Sequence, residues 1–512
     1  MPVQRSKFQP PQVTKQRSPR RLQQEIFEPI RGLNTGTPPQ NVIPGQTPFS
    51  QNVVVDDQTL IPRSGLSQYG TSQFGDEKPL GVFQADDVLG QSYFLAISDQ
   101  TSSLRSNDGT AWATISSTPN SSASTAYYDH AWGYVPSLDE NAVIIADGIA
   151  APRYFSFVAT AWAAVGDFES HESFARYCTF FDNRAVFFNM GSRTSLPFST
   201  RCRWSQRGDP LEYTDIDAGF EDLVDMRGEG TGIHSEQDRM VLFTEEETWI
   251  ARSRRDQYVF EFFPISREVG NPHPRSASVT DKGLIWLDRE LRFRLLSGNQ
   301  VFTFNDRTQK FLKDNMKEAT EVWSTFQQDD GRYKFHFSDT TGQFPTRALW
   351  LKTNSITADQ ANPNVLDGVW EHQDIPDETS AGHSELILTS NGTAYRFRSD
   401  QTTDDGTAID WRWRSHAFRL SREPDTKESI VNAWVDTDAD SASSLSFYYS
   451  TDLGENFTHA GEVALSAAPI TSHLPFFSPA ARFQQIEIRG DDGGTPRISN
   501  IRLEMRQYTG RF

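Results

Sequence analysis

Cysteine is almost absent from this 512-residue chain: Cys178 and Cys202 are the whole complement. Two thiols cannot staple a disulfide scaffold, and their spacing fits no metal site, so free thiols in a reducing compartment are expected. No apolar run reaches the roughly 18 residues a membrane helix needs. The basic N-terminus is not followed by an apolar h-region, which argues against a secretory leader. These absences describe a soluble protein made in the cytosol. The histidines are scattered singly, with no His-x-x-x-His or His-x-His pair to seat zinc. Gly228, Gly230 and Gly232 form a Gly-x-Gly-x-Gly run, but no Walker lysine follows and Met240–Ile250 reads as strand, not as a phosphate-binding helix. No cofactor is implied.

Positive charge is scarce as well. Lys and Arg number 49 against 68 Asp and Glu, a net charge of −19 and a pI near 5.0, which excludes a nucleic-acid binder of the usual basic kind. The imbalance is uneven. Arg5, Lys7, Lys15, Arg17, Arg20, Arg21 and Arg31 stand against Glu25 and Glu28 in residues 1–31, a local +5 that leaves −24 on the remainder. Such a segment is either an arm that docks on something anionic, for example a neighbouring copy, or a solvated tail.

What the chain has in plenty is aromatic and turn residues. Its 12 Trp, 36 Phe and 14 Tyr are interspersed with Ser, Thr, Asp, Gly and Pro, the composition of many short strands. Residues 1–60 carry neither hydrophobic period and are broken by Pro10, Pro11, Pro19, Pro29, Pro38, Pro39, Pro44 and Pro48. They read as an extended Pro/Gln-rich arm that another subunit would have to hold. From about residue 61 period two dominates. Tyr333, Phe335 and Phe337 alternate with Arg332, Lys334 and His336, and Leu291, Phe293 and Leu295 alternate with Arg292 and Arg294. Asn391–Gly392 between two alternating runs is a hairpin signal. Trp249, Trp286 and Trp323 lie 37 residues apart, near the length of a four-stranded blade. The spacing predicts an all-β chain with a β-propeller-like domain over 61–404. Asn305 and Asp306 are candidate N-caps for one helix running to about Thr320. After Asp400 the rhythm changes, and Ile409, Trp411 and Trp413 alternate with Asp410, Arg412 and Arg414; residues 405–512 are expected to form a C-terminal β-sandwich.

Ser450, Asp452, Gly454 and Phe457 match Ser-x-Asp-x-Gly-x-x-aromatic, which resembles the Asp-box hairpin. There Asp accepts turn N–H groups and Gly supplies a positive φ, so the role expected is structural. Ser106 to Trp112 echoes it one residue short. Asp436, Asp438 and Asp440 imitate half an EF-hand loop, but Ser441 and Phe447 stand where Gly and a bidentate Glu are needed. No nucleophile, metal or paired-carboxylate pattern has catalytic spacing, so no catalytic residue is assigned and no enzyme is expected.

One block carries more specific information. It runs from Phe174-Ala-Arg-Tyr-Cys-Thr-Phe-Phe-Asp-Asn-Arg184 through Arg203-Trp-Ser-Gln-Arg-Gly-Asp-Pro-Leu-Glu-Tyr213 to Asp238-Arg-Met-Val-Leu-Phe-Thr-Glu245 and Thr248-Trp-Ile250. This resembles the tail nozzle, or packaged-DNA-stabilisation, proteins of short-tailed bacteriophages. The resemblance spans about residues 80–400, and it does not account for the Pro/Gln arm. It implies a virion protein, made in the host cytoplasm, that forms a ring of six below the portal and adaptor. That ring would contact tail fibres or spikes, close the DNA channel, retain the genome and assist its ejection. An acidic lumen would suit double-stranded DNA that must pass without being gripped. A sialidase-like, carbohydrate-active propeller and a receptor-binding or head-completion protein are the alternatives; convergent Arg, Tyr and acidic side chains would mark the former.

Overall fold

The computed structural model describes residues 22–508 except 71–78, 100–102, 107–111, 116–118, 120–126, 167–172, 192–197, 255–257, 318–321, 340–344, 360–361, 376–378, 382–385, 390–392, 399–400, 420, 422–425, 440–442, 466–469 and 492. The chain is all-β, with one short α-helix among the described residues. No helix among them is long and apolar enough to cross a membrane.

Antiparallel meanders of four strands follow one another along the chain. The first blade spans residues 79–114, the second 129–164, the third 174–222, the fourth 230–266 and the fifth 278–304. The sixth spans 323–374 and is joined to the fifth by a parallel pairing of Thr303–Phe304 with Val365–Leu366. The seventh takes three strands from 379–398 and its outermost from Gly65–Gln68, which precedes the first blade in sequence. The ring is therefore closed by hydrogen bonds between its two chain ends.

Seven hydrophobic clusters fill the seven interfaces between neighbouring blades. Phe83 and Leu95 meet Phe155 and Trp162 between the first two blades, and Val82 and Phe94 meet Leu386 and Leu388 where the last returns to the first. Each middle strand is thus covered on both faces. That changes the meaning of the alternation in Arg332–Phe337. Every residue of that strand is buried, including Arg332, Lys334 and His336, because the opposite face meets the seventh blade and not water. The buried cations are paired: Arg332 with Glu371 at 2.9 Å and Lys334 with Asp330 at 2.8 Å.

The tryptophan spacing was a misleading ruler. Trp249 lies on a third strand, Trp286 on a second and Trp323 on a first, so equal intervals do not mark equivalent places. The helix is shorter than expected, Gln309–Asn315 with Thr308 at its N-cap position. Leu386–Thr389 and Ala394–Arg398 pair as expected, while Asn391–Gly392 lies outside the described residues.

Two further sheets share one core. One contains Val53–Asp56, Thr59–Pro62, Lys427–Ala439, Ile470–Pro475 and Pro496–Tyr508, with Leu22–Phe27 added along the last of these. The other contains Phe49–Gln51, Trp411–Arg414, Ser444–Ser450, Thr458–Ala464 and Gln485–Gly490. Trp411, Trp413, Phe447, Ile488, Leu503 and Phe27 meet between them.

The N-terminal segment is where expectation and structure part. Residues 22–60 pack extensively on their own chain. Leu22–Phe27 pairs with Ile501–Arg506, the Leu33 N–H donates to the Trp370 carbonyl, and Leu33 is buried in the core of the fifth and sixth blades. The segment lacks a core of its own but supplies edge strands and single plugs to cores that need them. Residues 1–21 lie outside the described part.

At the junction Arg63, with 1% of its side chain exposed, binds Asp404 in a fork at 2.8 and 2.5 Å. It also donates to Asn52 Oδ1, the Ser64 carbonyl and the Asp374 carbonyl. A single guanidinium thus ties the N-terminal segment to the sixth blade and to the hairpin that leaves the seventh.

Candidate functional site

The first strands of successive blades surround the propeller's axis. Between those of the second to sixth blades lies a cavity of about 750 Å³. Its walls include Tyr127, Tyr128, Asp129, His130, Tyr177, Ile233, His234, Arg275 and Val322, with Arg176 half exposed towards solvent.

Arg275 belongs to the connection between the fourth and fifth blades, and that connection is rigidly built. Gly270 sits where a Cβ would come within 2.3 Å of the Thr244 carbonyl, and its own carbonyl accepts Trp286 Nε1–H at 2.9 Å. The fully buried Asn271 accepts from the His273 N–H and the Ser276 hydroxyl, both at 3.1 Å. The Tyr333 hydroxyl donates to the Ser276 carbonyl at 2.6 Å. Pro272 and Pro274 stiffen what remains.

This framework presents Arg275 with its guanidinium 3.9 Å above the Tyr127 ring. All three of its nitrogens are shielded from water, and none has a hydrogen-bond partner among the described residues. Burial draws its pKa down to about 9, opposed by the charge of Asp129, so it remains a cation at neutral pH. Asp129 is not in ion-pair contact with it. Its carboxylate accepts the Cys178 and His130 N–H groups, each at 2.9 Å. Burial raises Asp129 to about 7 despite those bonds and the nearby Arg275. Burial also presses His130 and His234 down to about 4, so both are neutral at pH 7, and His234 Nε2 has no partner among the described residues. Arg176 is engaged by Glu229 at 3.1 Å.

A second feature is the face formed by the turns between first and second strands and between third and fourth strands. Contacts between blades show that these turns share one face: Ser137 of the second blade donates to Asp209 of the third, and Ser253 of the fourth to Asp182 of the third. The described turns there carry Asp87, Asp139, Asp182, Asp209, Glu212, Asp215, Asp217, Glu236, Asp238, Asp281, Asp329, Asp330 and Asp359. Against these stand Arg207, Arg239, Arg254 and Lys282. Apolar side chains project among them: Leu89 is 89% exposed, Val158 79% and Ile216 97%.

The Asp-box-like residues do come together, in the C-terminal sheets and away from the propeller. Ser450 Oγ donates to Asp452 at 2.6 Å and accepts the Gly454 N–H at 3.0 Å, while Asp452 accepts the Asn456 N–H at 3.0 Å. The Ser450 and Asn456 bonds hold the Asp452 carboxyl down to about 2. Gly454 has φ +90°, and Phe457 packs 4.2 Å from the Arg414 guanidinium. The arrangement shapes a turn and aims no group at a cavity. Of its one-residue-short echo, Asn107 to Ala111 lie outside the described residues.

Asp436 is taken by Arg502 at 2.9 Å and Thr471 at 2.7 Å, and Asp440 lies outside the described residues. No group of three His, Cys, Asp or Glu among the described residues is placed to hold a metal ion. The glycine run serves packing: a Cβ on Gly230 would lie 2.4 Å from the Phe188 ring. Cys178 and Cys202 are both buried and free.

The residues behind the family resemblance lie within a blade or at the contacts between blades. Arg184 pairs with Asp217 at 3.0 Å and donates to the Ser205 carbonyl at 2.6 Å, Trp204 fills the core between the third and fourth blades, and Arg239 bridges Glu236 and the Gly298 carbonyl. Sequence reading did not single out Arg275. Its only local sign was the Pro-His-Pro that precedes it.

No family model and no curated protein matches the chain. Among solved structures, one of U3-55K aligns with 70% of this chain and 95% of its own at 6% identity and a TM-score of 0.40. YCF48 from Cyanidioschyzon merolae aligns with 65% of this chain and 99% of its own at 8% identity, also at 0.40.

Proposed function

We propose that this chain is a non-catalytic virion protein: a tail nozzle subunit that assembles as a ring, closes the DNA channel and assists ejection. The observation that carries the reading is the acidic balance of one face of the propeller, thirteen carboxylates against four cations in its described turns. Carboxylates there, such as Asp209, Glu212, Asp215 and Asp329, would repel passing phosphates and keep the duplex from binding. The apolar tips among them, Leu89, Val158 and Ile216, suit contacts with neighbouring copies or with adaptor and portal-side proteins. Fibres or spikes would attach around the same ring, and the DNA would pass without specific recognition. The test is gold labelling of an affinity-tagged copy in purified particles. Label at the tail tip supports the reading, and absence of the protein from virions overturns it.

A carbohydrate-active propeller is the second reading, and the cavity favours it by bringing Tyr127, Tyr177, Asp129, Arg176 and Arg275 together. Turnover of sialosides or bacterial surface polysaccharides, lost in Asp129→Asn, would establish it over the first.

A further inference from the structure

We propose that Arg275 is the recognition group for a small, singly charged organic carboxylate bound in the central cavity of the propeller. A guanidinium removed from water with no acceptor is strongly unfavourable, and native chains keep such groups only where something is gained. The connection that holds Arg275 is not slack: Gly270, Asn271 and Ser276 are each fixed by the contacts described above. Five N–H groups in a planar fork match the two oxygens of a carboxylate better than they match any single acceptor.

The surroundings select the charge. Arg176 is occupied by Glu229, which leaves Arg275 as the cation without a partner among the described lining residues. Asp129, across the same cavity, disfavours a dianion such as phosphate. The walls select the body of the ligand. Tyr127, Tyr128, Tyr177, Ile233 and Val322 offer aromatic and aliphatic surface, and the unpartnered His234 Nε2 can accept a hydroxyl. A volume of about 750 Å³ accommodates a molecule the size of a sugar acid or an aromatic acid. Tyr127 covers one face of the guanidinium, which leaves its in-plane N–H edge as the side for a carboxylate to engage. The proposal concerns binding and holds whichever role the whole chain has.

The experiment is calorimetric titration of the full chain with acetate, benzoate, glucuronate and N-acetylneuraminate, with glucose and inorganic phosphate as controls. At least one carboxylate should bind saturably to the wild type, while glucose and phosphate should not. Arg275→Lys, which keeps the charge and loses the fork, should weaken that binding tenfold or more. Arg275→Met should unfold at the same temperature as the wild type or a higher one, because it removes a cation that nothing pairs. The proposal falls if none of the four carboxylates binds, if phosphate binds equally well, or if Arg275→Lys binds unchanged. It falls too if Arg275→Met melts well below the wild type, which would make Arg275 a structural cation.

Discussion

Two buried arginines divide the molecule between them. Arg63, at the junction with the C-terminal sheets, has a carboxylate fork and three further oxygens around it. Arg275, at the propeller's axis, has an aromatic ring on one face and no hydrogen bond among the described residues. Both carry the same charge out of water, but only the first recovers the cost of doing so within the chain. A fully satisfied buried charge joins parts of a fold, whereas an unsatisfied one set in a rigid loop is held ready for something else.

The sharpest way to break this comparison is at the junction. Arg63→Met leaves Asp404 and three other acceptors without their donor, and it should destabilise the chain by about 3–5 kcal/mol in denaturant unfolding. A loss smaller than that of an ordinary surface substitution would show that the fork contributes nothing.

Asp129 sharpens the contrast through pH. Its folded pKa of about 7 exceeds the usual carboxylate value, so the fold holds a proton that the unfolded chain has released. Its contribution to stability is therefore complete at low pH and is lost as pH rises towards 7. His130 and His234, pushed down to about 4, act in the opposite sense, because there the unfolded chain holds the protons. Asp129→Asn removes only the falling component. Between pH 5 and pH 7 the variant should gain about 2 kcal/mol relative to the wild type. The change with pH is the readout, since Asn offers one acceptor too few for the Cys178 and His130 N–H groups and lowers stability at every pH. Parallel profiles for the two proteins would place Asp129 in a wetter setting.

How much of this was legible depended on whether the cause was local. The turn at Ser450, Asp452 and Gly454 spans a few residues and its geometry is written in them, so the sequence sufficed. The strands were also legible, but the tryptophan interval that suggested blades measured nothing, because Trp249, Trp286 and Trp323 occupy different strands of their blades. The alternation in Arg332–Phe337 separated two faces correctly. It did not tell that both were buried, since the second face is covered by a blade some fifty residues further on. The arm misled for a related reason: proline-broken sequence shows that a segment cannot build a core, not whose core it completes. The cavity was out of reach altogether, being assembled from first strands of several blades and one connection.

Gly230 tests the packing between blades on a smaller scale. A methyl group there meets the Phe188 ring at 2.4 Å and the Ser199 carbonyl at 2.7 Å, and the carbonyl cannot yield. Gly230→Ala should cost about 1–2 kcal/mol by overpacking between the third and fourth blades. Because Arg275 is held from the fourth blade onwards, carboxylate binding should survive the change. Loss of binding without loss of stability would mean that the cavity depends on finer positioning than the loop alone provides.

The smallest effect on stability, and the most telling for function, is expected at the acidic face. Asp209, Asp215 and Asp329 lie in turns of the third and sixth blades, and none of the three forms an ion pair among the described residues. Replacing all three with lysine should shift unfolding by no more than about 0.5 kcal/mol at each of the exposed Asp215 and Asp329, and by about 1 kcal/mol at the half-buried Asp209, which accepts from Ser137 and the Leu211 N–H. The consequence for DNA should be far larger. The wild type, at −19 overall, should show no measurable affinity for a duplex at moderate salt. The triple variant replaces a repelling cluster with cations that can displace condensed counterions, and its affinity should fall steeply as salt rises. Fluorescence anisotropy of a labelled duplex across a salt series measures both. If the wild type already binds, or if the variant remains indifferent to DNA at low salt, the acidic face is not what keeps the duplex free. The net charge would then be a matter of solubility alone.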